Sequence, residues 1–282
     1  MSTLPKPEWI RAKAPTGEVY EEVKSLVESA RLHTVCQSAN CPNIGECWRE
    51  KTATFMILGS TCTRNCRFCA VNTGVPGCVD EEEPARVAEA VAYLGLRYAV
   101  ITSVTRDDQP DGGAHIFAET IARIHQLQPD CKVEVLIPDF KGDSAALKTV
   151  LDAKPFVLNH NLETVERCYQ TIRPQAIYRR SLDLLKKSKQ IAPDILTKSG
   201  IMVGVGETWH ELLTAMGDLR LSGCDLLTIG QYLSPSSKHH PVERYYTPEE
   251  FDQLRDEAIK LGFTHAECGP LVRSSYHADK AG

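Results

Sequence analysis

The chain has 282 residues, 42% of them hydrophobic and 24% charged, with a formal net charge of -5. That composition belongs to a folded globular protein rather than a disordered or fibrous one, and the acidic balance gives the chain as a whole no electrostatic pull toward nucleic acid. No apolar run approaches the roughly 18 residues of a membrane span, and the opening MSTLPKPEWIRAKAP lacks the apolar core of a signal peptide, so a cytoplasmic protein with no membrane or nucleic-acid partner is expected.

In chain order, the first predicted element is an amphipathic helix over EVYEEVKSLVESARL, followed by a loop that carries Cys36, Cys41 and Cys47. From residue 54 onward short β-rich runs alternate with helical patterns. TFMIL, YAVITS, KVEVLI, PFVLNH, GIMVGV and DLLTIG read as six strands with little polar alternation, as strands covered on both faces do. Between them, PARVAEAVAYLGL keeps Val87, Val91 and Leu94 on one face, and HIFAETIARIHQL does the same with Phe117, Ile121 and Ile124. The acids of EEEP at 81–84 read as a solvated helix start. Further helices are expected near Ser144, Ile177 and Glu207, and a last one over TPEEFDQLRDEAIKLG has a Thr-x-x-Glu start and a glycine stop. Six βα units with right-handed crossovers predict an α/β fold, a partial (β/α)6 barrel of TIM type over residues 54–262. Residues 1–53 form an N-terminal helical and cysteine-loop extension, and 263–282 a C-terminal tail.

Six of the eleven cysteines lie between Cys36 and Cys69; the other five are scattered singly and read as small buried hydrophobes. Cys62, Cys66 and Cys69 follow the first strand at its carboxyl end, where parallel α/β folds build their sites. Three thiolates close neither a tetrahedral structural zinc site nor all four irons of a 4Fe-4S cluster, so one metal position is left for another ligand. A zinc loop and an open cluster both remain compatible with that spacing. The set at 36, 41 and 47 likewise offers three thiols without a fourth.

CTRNCRFCAV resembles the CxxxCxxC signature of the radical S-adenosylmethionine (SAM) superfamily, with Phe68 at the aromatic position before the last cysteine. Together with CQSANCPNIGEC, CPNIGECW and the terminal RSSYHA, it resembles the lipoyl synthase family over nearly the whole chain, from Trp9 to Asp279. The resemblance implies a 4Fe-4S cluster on Cys62, Cys66 and Cys69 whose open iron is chelated by SAM, and a second, auxiliary 4Fe-4S cluster on Cys36, Cys41 and Cys47. The fourth ligand of the auxiliary cluster would be Ser275, with Ser274 as the alternative, which requires the tail to fold back to the N-terminal loop. A serine oxygen is a hard ligand for a soft cluster and leaves easily, which suits a cluster that is dismantled as the sulfur donor. Phe68 is a cofactor contact by its place in the signature, and by the same resemblance Ser103 in TSVTRDDQPDGGA lies along the methionine part of the cofactor. Asn161 and Glu163 in NHNLETV carry the hydrogen-bonding groups a ribose needs or else cap the next helix, Arg173 in QTIRP pairs with the cofactor carboxylate or makes an ordinary surface ion pair, and Gly204 in KSGIMVGVGET lets the backbone approach a ligand closely. Gln231 and Tyr232 would face the substrate channel, while His239 and His240 read as loop residues.

The implied activity is radical insertion of two sulfur atoms at the sixth and eighth carbons of an octanoyl group on a protein lysine, consuming two SAM molecules. An unactivated C–H bond offers no acidic proton to a side-chain base, so a cofactor must do this chemistry. Implied partners are octanoylated lipoyl carrier domains such as the 2-oxoacid dehydrogenase E2 subunit and the glycine cleavage H protein. Ferredoxin or flavodoxin would serve as reductant, and an iron–sulfur carrier protein would rebuild the cluster. The rival readings are a related enzyme that inserts sulfur into a tRNA base or a biotin precursor, and a metal-binding or electron-carrier protein with no chemistry of its own.

Overall fold

A computed structural model describes residues 4–12, 14–50, 53–276 and 278. His277 of RSSYHA, Asp279 and the rest of the tail beyond it lie outside the described residues. The chain divides into two units, one made of Lys13–Arg64 and Ala70–Asn159, the other of Met1–Ala12, Asn65–Cys69 and His160–Gly282.

The first unit opens with α1 (Glu18–Ser29), β1 (His33–Thr34) and two short helices, α2 (Val35–Ser38) and α3 (Ile44–Arg49). It continues through β2 (Thr54–Ile57), a small parallel pair β3 (Thr61–Cys62) and β4 (Asn72–Thr73), and then α4 (Glu83–Leu94), β5 (Tyr98–Ser103), α5 (Ala114–Leu127), β6 (Lys132–Leu136), α6 (Ser144–Asp152) and β7 (Val157–Asn159). β2, β5, β6 and β7 pair in parallel in that order, and β1 adds antiparallel to the edge of β2. All four residues of β2 are buried, as expected of a strand covered on both faces. α4 starts with Pro84 in its first turn and stops at Gly95, whose φ of 63° is the left-handed conformation that ends helices.

The second unit carries α7 (Tyr169–Ile172), α8 (Tyr178–Ile191), β8 (Leu196–Val203), α9 (Trp209–Leu221), β9 (Leu226–Gln231), α10 (Pro248–Lys260) and β10 (His265–Gly269). β8, β9 and β10 are parallel. Reciprocal capping boxes, Thr208 with Glu211 and Thr247 with Glu250, start α9 and α10. Val203, Leu212, Met216, Ile229, Phe251 and Leu254 contribute to the core, all at 1% exposure or less.

Three details depart from the sequence expectation. β10 is a further parallel strand inside the stretch read as tail; HAECG is short and polar, and only its pairing with β9 marks it as a strand. β8 begins four residues before GIMVGV and takes in Lys198, a fully buried lysine whose residue type argues against a strand. Glu83 is not solvated: it is 3% exposed and its carboxylate accepts the Leu58 N–H at 2.6 Å. At the end of β9 in the second unit Gly230 pairs with Gly269, and a Cβ on Gly230 would overlap the Val272 carbonyl. A glycine is therefore required where the chain leaving β10 crosses β9.

Candidate functional site

The CxxxCxxC loop begins with a fixed exit from β2. Leu58 and Gly59 both have positive φ, 68° and 87°, which turns the chain sharply out of the sheet. Glu83 holds the Leu58 N–H, and Arg106 Nη1 donates to the Leu58 carbonyl at 3.3 Å. Burial pushes the Glu83 carboxyl up, while the Leu58 and Gly59 N–H groups and Arg86 pull it back.

Cys62 then sits in the β3–β4 pair, its carbonyl accepting the Gly74 N–H at 3.0 Å. Two backbone N–H groups donate to its sulfur, from Arg64 at 3.4 Å and Thr105 at 3.3 Å. Thr63 is bolted to the chain after β5: its N–H and hydroxyl donate to the Thr105 carbonyl at 3.0 and 2.9 Å, and its Oγ1 accepts the Asp107 N–H. Arg64 is 6% exposed and forks onto Asp107, at 2.7 and 2.9 Å, while Nη2 reaches Asp139 at 2.6 Å. Those two carboxylates hold the guanidinium protonated well above its ordinary range despite its burial.

Residues 65–69 are anchored within the second unit. The Asn65 N–H donates to Gln175 Oε1 at 2.7 Å, the Arg67 N–H to the Ile172 carbonyl at 2.8 Å, and the His240 N–H to the Arg67 carbonyl at 2.9 Å. His239 Nε2 lies 3.1 Å from the Cys69 carbonyl, and the Cys69 N–H donates to the Cys66 carbonyl at 3.1 Å. Phe68 packs against the core of this unit. His239 and His240 thus hold the cysteine loop in place, a role that their sequence position in a polar stretch does not reveal.

In the first unit, Cys36 lies in α2, which Thr34 caps by accepting the Gln37 N–H at 3.3 Å, and Cys47 lies in α3. The Cys41 N–H closes the intervening turn onto the Cys36 carbonyl at 3.0 Å. Gly45 is the only residue type that fits its position, because a Cβ would lie 2.7 Å from the Ala14 carbonyl oxygen and from Pro15 Cα. Burial, with repulsion from Cys41, pushes the Cys36 thiol up to about 11; burial, with repulsion from Cys36, Cys41 and the acids Glu46 and Glu50, pushes Cys47 up to about 12. The three sulfurs therefore lie within one another's electrostatic reach. Trp48 is fully buried, packs on Tyr20 with ring centroids 5.2 Å apart, and its indole N–H has no acceptor at hydrogen-bond distance. Its influence on the Cys36 thiol is to lower it slightly, against the larger upward push of burial.

This donor set fits an iron–sulfur cluster. One buried and two half-buried thiols that repel one another are discharged by a multivalent cation, and soft sulfur donors suit iron–sulfur or zinc chemistry. All eleven cysteines are free of disulfides, and among the described residues no three His, Cys, Asp or Glu side chains are placed to hold a single metal ion. Ser274 and Ser275 lie in a turn of the second unit closed by the Tyr276 N–H on the Arg273 carbonyl at 2.9 Å.

Asn161, Glu163 and Arg173 come together in the second unit. Asn161 Nδ2 donates to Glu163 Oε1 at 3.1 Å, and Arg173 Nη1 donates to the Asn161 carbonyl at 2.9 Å and to the Tyr169 hydroxyl at 3.2 Å. Glu163 has a φ of 69°; burial raises its carboxyl and the Arg173 charge opposes that rise. Asn161 Oδ1 is buried with no hydrogen-bond partner, beside Gly200, where a Cβ would approach it to 2.8 Å. The Ser103 hydroxyl, at the end of β5 in the first unit, is likewise buried without a partner. Such groups carry a desolvation cost that a polar ligand can relieve. Gly204 has a φ of 94°, and a Cβ there would collide with the Gln231 amide and the Arg244 carbonyl, so the glycine serves protein packing. Gln231 is buried and donates to the Val203, Tyr232 and Arg244 carbonyls, and the Tyr232 hydroxyl donates to the His240 carbonyl at 2.7 Å. Both therefore act as structural ties.

Residues 56–219 match the Radical SAM superfamily model. The chain is 59% identical over 274 residues to the lipoyl synthase of Koribacter versatilis, covering 97% of this chain and 90% of that protein. It is 58% identical to the lipoyl synthase of Rubrobacter xylanophilus, covering 97% and 85%, and 58% identical to that of Caldanaerobacter subterraneus, covering 98% and 97%. Among solved structures, methylornithine synthase matches with a TM-score of 0.55 at 14% identity, over 89% of this chain and 79% of that one. SuiB of Streptococcus suis bound to S-adenosylmethionine matches with a TM-score of 0.60 at 10% identity, over 80% and 53%. The fold class is the expected α/β partial barrel. Among the described residues no helix is long and apolar enough to cross a membrane.

Proposed function

Because this chain belongs to the lipoyl synthases, within the radical SAM superfamily, we propose that it inserts sulfur at the sixth and eighth carbons of an octanoyl group borne on a lysine of a lipoyl carrier domain. It is a radical SAM sulfurtransferase, and its superfamily uses a 4Fe-4S cluster with SAM. The observation that carries the finer reading is the presence of two separate cysteine triads in one chain, neither bridged by disulfides. Cys62, Cys66 and Cys69 hold one 4Fe-4S cluster, and Cys36, Cys41 and Cys47 hold a second, with Ser275 as its fourth ligand. When bound, the first cluster and SAM supply the one-electron chemistry that removes hydrogen from an unactivated C–H bond, and the second supplies sulfur.

The chain's own residues do the positioning. Main-chain bonds tie Cys62 within the first unit, and residues 65–69 within the second. Within the second unit, Asn161 Oδ1 offers an unpaired acceptor to a cofactor, with Glu163 and Arg173 fixing the Asn161 side chain and backbone; within the first unit, the Ser103 hydroxyl is likewise unpaired. The apolar packing of Phe68 keeps the last cysteine of the loop in place. Substrates are the octanoylated domains of 2-oxoacid dehydrogenase E2 subunits or the glycine cleavage H protein. A ferredoxin or flavodoxin delivers electrons and an iron–sulfur carrier restores the second cluster, in a cytoplasmic setting.

The test is anaerobic reconstitution followed by iron and sulfide counting, then addition of SAM, reductant and an octanoyl-lysyl peptide. About eight irons per chain and a peptide bearing two added sulfurs are expected. About four irons with no change to the peptide would leave only an electron carrier.

A further inference from the structure

Arg64 occupies a variable position of the CxxxCxxC spacing, where no metal ligand is needed, yet it is one of the most thoroughly constrained side chains of the first unit. Its guanidinium forks onto Asp107, and one of its nitrogens also reaches Asp139, whose side chain is fully buried. Asp139 is fixed in turn: its Oδ1 accepts the Lys141 N–H at 3.1 Å in a tight turn where Phe140 and Lys141 both have positive φ. Lys141 Nζ donates to the Asp107 carbonyl at 2.9 Å, which closes the ring of contacts. With two carboxylates to one guanidinium, the assembly brings no net positive charge to the loop, so its effect is geometric.

The geometry it controls is at Cys62. The main chain of Arg64 supplies one of the two N–H groups on the Cys62 sulfur, and Thr105, two residues before Asp107, supplies the other. The side-chain triad spans those two stretches of backbone. Hydrogen bonds to a cluster's cysteine sulfurs stabilise the extra negative charge of the reduced state and so raise its reduction potential. We propose that the buried Arg64–Asp107–Asp139 triad is a positioning device that sets the reduction potential of the cluster at Cys62 by holding the Arg64 and Thr105 N–H groups on its sulfur. This rests on the proposed assignment of a cluster to Cys62, Cys66 and Cys69.

The experiment uses the full chain carrying C36A/C41A/C47A, so that only the cluster at residues 62–69 is present, with Arg64→Lys or Asp139→Asn added. Lysine keeps the charge but cannot fork, and asparagine keeps the shape but loses the ion pair. Midpoint potential is read by spectroscopic redox titration at equal iron loading, alongside the melting temperature of the metal-free protein. Both variants are expected to load about four irons and to be about tenfold harder to reduce, which is a midpoint about 59 mV more negative. Arg64→Met is expected to shift at least as far. A loaded variant with an unchanged midpoint overturns the proposal, whatever happens to its melting temperature, because the triad would then be a structural clamp only. If the parent protein takes up no cluster at this loop, both this inference and the function it rests on fall; a loaded parent with unmoved variants overturns this inference alone.

Discussion

The loop at 62–69 and the loop at 36–47 each present three cysteines, but they are held by different forces. The first is tied almost entirely by main-chain hydrogen bonds and a buried ionic triad, with two N–H groups on one of its sulfurs. The second rests on helices of four and six residues, a glycine pressed on the chain at Ala14–Pro15, and the packing of Trp48 on Tyr20. Its Cys36 and Cys47 thiols are kept protonated by burial and by repulsion from the neighbouring thiols, so metal uptake there must release protons. The lesson is that identical donor counts need not mean identical lifetimes. Main-chain ties suit a cluster that survives many electron transfers; side-chain packing around mutually repelling thiols suits one that is taken apart and rebuilt, as the proposed function requires.

The sharpest way to break this contrast is to remove cysteines from each loop in turn. Cys62→Ala, Cys66→Ala or Cys69→Ala should abolish reductive cleavage of SAM, read as loss of 5'-deoxyadenosine. Cys36→Ala, Cys41→Ala or Cys47→Ala should leave that cleavage intact and remove only the sulfur-bearing peptide product. Equal losses from both loops would erase the distinction.

A smaller effect is expected at Glu83, which holds the entry to the first loop. Glu83→Ala strands the Leu58 N–H in a buried position, a cost of about 1–3 kcal/mol seen as a melting temperature lower by several degrees. Glu83→Gln adds a pH signature. The folded carboxyl is raised above its ordinary 4.5, so the wild type carries a stability term that is complete below that value and is lost as pH rises through the folded value. Glutamine has no such term, so the variant should gain on the wild type as pH rises from 4 toward 8, in paired thermal melts.

At the second loop, Trp48→Phe keeps an aromatic ring but removes the indole N–H beside Cys36. Chelator extraction of iron from the 36–47 site should quicken a few-fold, while extraction from 62–69 stays unchanged. Least of all should follow from Thr247→Ala at the start of α10: about 1 kcal/mol of stability from the lost cap, with both iron signatures as in wild type.

The sequence reveals most of this molecule where one residue type has one use. Six cysteines at fixed spacings mark both loops, and the runs YAVITS and KVEVLI are strands over their expected lengths, KVEVLI to within one residue. It reveals least where ordinary residues take unusual surroundings. Lys198 in a buried strand and Glu83 beneath a turn contradict their solution preferences, and only tertiary contacts compensate them. Asp107 and Asp139 are 32 positions apart and meet only because parallel strands β5 and β6 end side by side. β10 is too short and polar to show periodicity and exists because β9 offers it an edge.

Gly230, where the Val272 carbonyl crosses β9, gives experimental leverage over the end of the chain. A single added methyl there would lift the segment leading to Ser274 and Ser275 without shortening the polypeptide. Truncation at residue 262 would instead remove the whole of β10 and leave β9 as an open edge prone to self-association. A one-atom wedge is thus a gentler instrument than deletion for asking what the serines contribute.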